Sequence, residues 1–294
     1  MTAALQRRSL GASSVELSPL TFGSMRLHER SLDDKALLVL LRTSIDHGIT
    51  TFHSSSDYQG FARFCSLAHQ LGPSLQHVVK LAEPHFGEAR FDAARLRARV
   101  DGYLSRLGAE QIEVVQWMWR GDLDDEQGRL AGFADQRGDM EAAFDDLRRA
   151  GKIGAVVTFP YTAAFANQTL RSGFGQGLAV YLNPVEQAMA PEIARAARSG
   201  LGVVAIRPLA AGNPLVAGTT PGACIEAVLR RPGVTTAVVT YSSVEHLLEL
   251  VAGAARARAR PFADASGGGL PDGSRSAGAA GEVPGGTALQ ERNQ

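Results

Sequence analysis

The stretch GITTFHSSSDYQG (residues 48–60) decides how this chain is read. Thr50 to Phe52 has the composition of a short buried strand, and it ends abruptly in hydroxyls, one histidine, one aspartate and one tyrosine. A strand that turns polar at its C-terminal end is where α/β barrels place their chemistry. The segment before it, Ala36–Ile45, has helical spacing, so the unit reads as helix, strand and polar loop.

Outward from this unit the same alternation repeats from about residue 20 to 255. Strand candidates are PLTFG, ITTF, HVVKLA, IEVVQWM, IGAVVTF, LAVYLN, GVVAI and TTAVV. Helical spacing recurs in Phe91–Leu107, Met140–Ala150, Pro191–Ser199 and Ser243–Ala254. Strands alternating with helices call for a parallel sheet with helical crossovers. Eight of them favour a closed (β/α)8 barrel, a TIM barrel, over an open sheet. Ahead of the first strand, RRSLGASSVELSPL reads as an N-terminal β-hairpin with Gly11–Ala12 at its turn, covering the barrel's bottom. The expected organisation is a barrel over residues 1–260 and a Gly/Ala/Ser/Pro-rich tail over 261–294. That tail has almost no large apolar residues and is expected to be disordered.

Composition narrows the functions. Thirty basic and thirty acidic side chains cancel, so no net field gathers nucleic acid or an anionic membrane. No run approaches the roughly 18 apolar residues of a membrane span, and MTAALQRRSL lacks the apolar core of a secretion signal. The two cysteines, Cys65 and Cys224, are far apart, which suits a reducing cytoplasm. Gly173, Gly175 and Gly177 precede a strand and do not open a helix, so they are not a phosphate loop. No metal-ligand spacing stands out; His53, Glu83 and His85 form only a weak set. The expected partner is a small molecule, and oligomeric state is not legible.

Several segments in order resemble the aldo-keto reductase family, across roughly residues 7–254. They are LGASSVELSPLTFGSMR (10–26), SIDHGITTFHSSSDYQG (44–60), LSRLGAEQIEVVQWMW (104–119), LRRAGKIGAVVTF (147–159), YLNPVEQ (181–187), VVAIRPLAAGNPL (203–215) and VTTAVVTYSSVEHL (234–247). The resemblance implies carbonyl reduction by a nicotinamide cofactor, NADPH, with a tyrosine protonating the developing alkoxide. A phenol of pKa about 10 is too weak an acid at neutral pH without a nearby cation. The family therefore uses a lysine, an aspartate that holds it, and a histidine that orients the carbonyl.

Carried over residue by residue, the tyrosine is Tyr58, the aspartate position is His53, and the histidine position is Met118. The lysine is either Lys80 or Glu83: Lys80 lies in the third strand, whereas Glu83 falls at about the family's depth. Glu83 on the inner face would meet His53 as an acid/base pair. Trp117 and Trp119 share one side of their strand, as core or as substrate platform, and Arg120 beyond them is an anion binder or a surface charge. Cofactor positions fall at Thr158, Asn183, Arg207 and Ser242, with Phe159, Pro184 and Leu250 departing from the family's polar residues. The chain thus reads as a divergent member with degenerate catalytic and cofactor motifs. Three functions stay open: NADPH-dependent reduction of a small carbonyl through Tyr58, Lys80 and His53; a non-redox isomerase, dehydratase or lyase using His53, Tyr58 and Glu83; and a non-catalytic binding subunit.

Overall fold

The computed structural model describes residues 4–29, 32–88, 90–210 and 219–259. The expected tail, 261–294, lies outside the described residues. A two-stranded antiparallel hairpin, β1 (Arg8–Ser9) and β2 (Glu16–Leu17), comes first. Eight parallel strands follow: β3 (Leu20–Gly23), β4 (Thr51–Ser54), β5 (Gln76–Ala82), β6 (Ile112–Met118), β7 (Ile153–Thr158), β8 (Gly177–Tyr181), β9 (Gly202–Ile206) and β10 (Val234–Val239). They close in chain order, with β10 pairing β3 as well as β9. The helices are α1 (Asp34–Asp46), α2 (Phe61–Leu71), α3 (Ala93–Leu107), α4 (Glu126–Arg149), α5 (Ala163–Ser172), α6 (Ala190–Arg198), α7 (Pro221–Leu229) and α8 (Val244–Ala259). This is a (β/α)8 barrel with an N-terminal hairpin.

The helices start where short polar side chains satisfy free backbone N–H groups. Asp33 accepts from Ala36 N at the head of α1, Asp92 from Ala94 and Arg95 N at α3, and Thr162 from Phe165 N at α5. Strand alternation then sorts side chains into two cores. Phe52, Val79, Leu81, Val115, Trp117 and Val156 point out and pack under the helices. Val78, Ala82, Val114, Met118, Val157 and Val204 point in.

Leu10, Val15 and Leu17 of the hairpin join the inward cluster, so the hairpin closes the barrel's lower end. Gly11 has φ 56°, and a Cβ there would lie 2.3 Å from Gly200 O, just before β9 begins. Only glycine fits so close an approach in the left-handed region. With the bottom plugged, access to the interior is from the strands' C-terminal ends.

Candidate active site

The strand β4 runs further than its sequence suggested, through His53 and Ser54. His53 is therefore an inward-facing barrel residue, one position beyond the outward Phe52. The serines that follow build the loop. Ser55 Oγ donates to Lys80 O (3.1 Å), and Ser55 O accepts from Tyr58 N (3.1 Å). Tyr103 Oη on α3 accepts from Ser56 N (2.7 Å) and lies 2.8 Å from Ser56 Oγ. The hydroxyls thus pin the turn that carries Tyr58 over the barrel mouth.

Three predicted residues meet there. The Tyr58 and His53 rings lie 6.1 Å apart, and Lys80 Nζ stands 5.3 Å from the centre of the Tyr58 ring. Lys80, not Glu83, is therefore the cation that reaches Tyr58. Burial raises the Tyr58 phenol above its ordinary value; Tyr103, Asp57 and Tyr181 add to the rise and Arg120 opposes it. The phenol keeps its proton across the neutral range.

His53 is buried, and its Nε2 lies 3.0 Å from Oε1 of Gln116 on β6. Burial pushes the imidazole down to about 4, with the Gln116 bond resisting and the charge of Lys80 contributing. On the neighbouring strand Gly23 is the register partner of His53, and Ser24 N, just beyond β3, donates to His53 O (3.0 Å).

Glu83 does not meet His53, which corrects the expected acid/base pair. Its fully buried carboxylate accepts Arg95 Nη2 at 2.6 Å and Asp92 N at 3.1 Å, and it also binds Arg99. Two guanidiniums from α3 draw it away from the mouth, so it ties that helix to the end of β5. The tryptophans are corrected as well. Trp117 and Trp119 point away from the barrel interior, and Trp117 packs among Phe133, Phe165 and Phe174, where no ligand reaches. Met118 does face inward, beside Ala82 and Phe159. Arg120 is buried rather than on the surface; its Nη1 lies 3.1 Å from both Asp57 Oδ2 and His85 Nε2.

A cleft of about 590 Å³ opens beside this group along the ends of β3, β9 and β10. Its lining includes His53, Tyr58, Arg26, Arg207, Ser242 and His246. Arg207 has φ 55°, a strained conformation for a bulky residue, and its guanidinium lies 4.2 Å from the Tyr181 ring centre. Ser242 lines the cleft just ahead of α8.

The other two cofactor positions, Asn183 and Thr158, do not line this cleft. Asn183 Oδ1 accepts from Val185 N (3.1 Å) and Glu186 N (2.8 Å), while its Nδ2 donates to Arg207 O (3.0 Å) and to Glu186. It organises the turn after β8 and has no donor left to offer. Thr158 is buried with an unsatisfied hydroxyl, on the outward face of β7 next to Trp117. Gln116 and Tyr103 were not read as site residues from the sequence. For Gln116 there was a signal: an amide in the middle of the apolar run IEVVQWM.

A parallel barrel with its polar group at the C-terminal mouth is the architecture of a TIM-barrel enzyme. No family model matches the sequence, and no curated protein matches it in sequence. Solved structures do match. Two structures of Pseudomonas aeruginosa proteins assigned to the aldo-keto reductases align with TM-scores of 0.71 and 0.70 at 27% and 28% identity. They cover 88% and 87% of this chain, and 99% and 97% of their own. An aldo-keto reductase from Bacillus halodurans, in its holo form, shares the fold with a TM-score of 0.67 at 17% identity, over 88% of this chain and 93% of its own. Over most of its length the chain resembles the aldo-keto reductases in fold and, at 27–28% identity, in sequence. Its neighbours support a reductase-like enzyme. Among the described residues no helix is long and apolar enough to cross a membrane.

Proposed function

We propose that the protein reduces a small carbonyl compound with NADPH, using Tyr58 as the proton donor. The observation that carries this reading is the meeting of Tyr58, Lys80 and His53 at the mouth, beside a cleft of about 590 Å³. That volume lies within the roughly 300–1,000 Å³ of small-molecule and cofactor sites. When bound, the nicotinamide supplies the hydride. Arg207 and Arg26 offer the cations a diphosphate needs, with Ser242 beside them. The carboxamide finds fewer partners, because Asn183 is spent on its own turn and Phe159 replaces an amide side chain. The group fits this cleft loosely.

The chain's residues divide the remaining work. Tyr58 holds its proton at neutral pH and delivers it to the carbonyl oxygen as negative charge develops there. The ammonium of Lys80 stabilises the phenolate left behind. His53 stays neutral and adds no charge of its own to the mouth. Met118 presents a thioether where a carbonyl-orienting imidazole is expected, so the carbonyl oxygen relies on Tyr58 for its hydrogen bond. The non-redox alternative loses ground, since Glu83 is held by Arg95 and Arg99.

The test is a fluorescence titration with NADPH, followed by its consumption in the presence of small aldehydes and ketones. Each missing polar contact costs about 0.5–1.5 kcal/mol, so binding is expected one to three orders of magnitude weaker than in a relative with those contacts intact. Turnover should fall by about 10²–10⁴ in Tyr58→Phe. No binding at millimolar NADPH and no carbonyl reduction would end this reading.

A further inference from the structure

Three side chains from neighbouring strands converge inside the barrel below the mouth: His53 on β4, Lys80 on β5 and Gln116 on β6. Lys80 and Gln116 are register partners, while His53 pairs with Val78 two residues earlier on β5. The His53–Gln116 hydrogen bond therefore reaches across the inner face of β5. Both residues are buried, so neither takes its partner from bulk water.

We propose that Gln116 is a positioning residue for this site. By accepting the Nε2 hydrogen of His53, it fixes the imidazole in one tautomer and leaves Nδ1 as the ring's acceptor in the interior that His53 shares with Tyr58 and Lys80. The inference rests on the reductase reading for its effect on turnover, but the tautomer itself does not depend on that reading.

The argument is one of chemistry at a fixed place. A neutral imidazole has one donor and one acceptor, and the partner of one nitrogen dictates the role of the other. Gln116 Oε1 lies 3.0 Å from Nε2, so Nε2 carries the hydrogen and Nδ1 carries the lone pair. Protonating Nδ1 would put a second cation beside Lys80 in a buried interior, and burial already disfavours it. The charged and titratable groups near the ring are Lys80 from β5 and Tyr58 from the loop after β4, while Gln116 from β6 is uncharged and Gly23, the register partner on β3, brings no side chain. A carboxylate at position 53 would hold Lys80 by charge. A neutral imidazole offers Nδ1 as a hydrogen-bond acceptor instead, and a ring free to rotate or change tautomer would lose that acceptor. Gln116 supplies the restraint.

The experiment uses the full-length protein labelled with 15N-histidine, the His53 resonances being identified by their absence in His53→Gln. The parent should show the Nε2–H tautomer of His53 with no titration between pH 8 and 5.5. Gln116→Leu should mix the tautomers and lower kcat by about tenfold, the weight of one hydrogen bond to a catalytic group, with KM unchanged. Gln116→Glu should place a carboxylate on the ring, raise its midpoint above 6.5 and move the acid limb of kcat with it. An Nδ1–H tautomer in the parent overturns the proposal. So does a Gln116→Leu spectrum that matches the parent's, or a changed tautomer with kcat unaltered. If the parent reduces no carbonyl, the reductase reading falls, and the tautomer and midpoint alone decide whether Gln116 positions His53.

Discussion

Acid should unfold this protein through two buried histidines before its carboxylates are all protonated. His53 and His77 are both buried, and burial pushes each imidazole from 6.5 down to about 4. His77 also has an unsatisfied Nδ1. In the unfolded chain each imidazole titrates near its ordinary value, so between pH 6.5 and 4 the unfolded state binds a proton that the folded state refuses. The folded pKa is the lower one. Stability is therefore fully present above pH 6.5 and is lost as pH falls toward 4. A shift of about 2.5 units at about 1.36 kcal/mol per unit gives a limit of about 3 kcal/mol per histidine. Integrated between pH 7 and pH 5, the loss is about 2 kcal/mol for each. The assay is urea unfolding of the parent, His53→Gln and His77→Asn at both pH values. Each variant should lose about 2 kcal/mol less than the parent over that interval, whatever its stability at pH 7. Equal losses in parent and variants would mean that the imidazoles are not held neutral, and the electrostatic picture of the barrel interior would fail with them.

Other expectations follow from single contacts. Glu83→Gln should destabilise the protein by about 2–4 kcal/mol, near the lower end for breaking a buried pair because Arg95 and Arg99 are partly exposed. Its turnover per folded molecule should hold, and a loss of turnover without a loss of stability would restore Glu83 to the chemistry. Trp117→Ala should cost about 3–5 kcal/mol in denaturant unfolding, with KM unchanged, since the ring packs in the outer core among aromatics and its Nε1 donates to Glu83 O (2.8 Å). Carbonyl reduction in the parent should show no titration of His53 near pH 6–7, because burial pushes that imidazole down to about 4. A limb near neutrality that vanishes in His53→Ala would contradict the burial seen here.

The barrel was legible in the sequence because its signals are local. Eight short apolar runs with β-branched residues, separated by helix-length segments, set element type and order, and parallel strands in that order close in only a few ways. All eight strand candidates are strands of the barrel. The position of Tyr58 was also legible, since a strand end followed by a loop fixes its height above the mouth. Partners were not. Glu83 and Lys80 lie three residues apart, and the sequence could not say which reaches Tyr58; the α3 guanidiniums of Arg95 and Arg99 draw Glu83 away and leave Lys80 beside the ring. Alternation put Trp117 and Trp119 on one face, but which face looks inward depends on closure of the sheet. The charge state of His53 was set by burial, against the opposing hydrogen bond of Gln116, 63 residues away. A free imidazole titrates near neutrality, and only the tertiary structure removes the water that would let it do so.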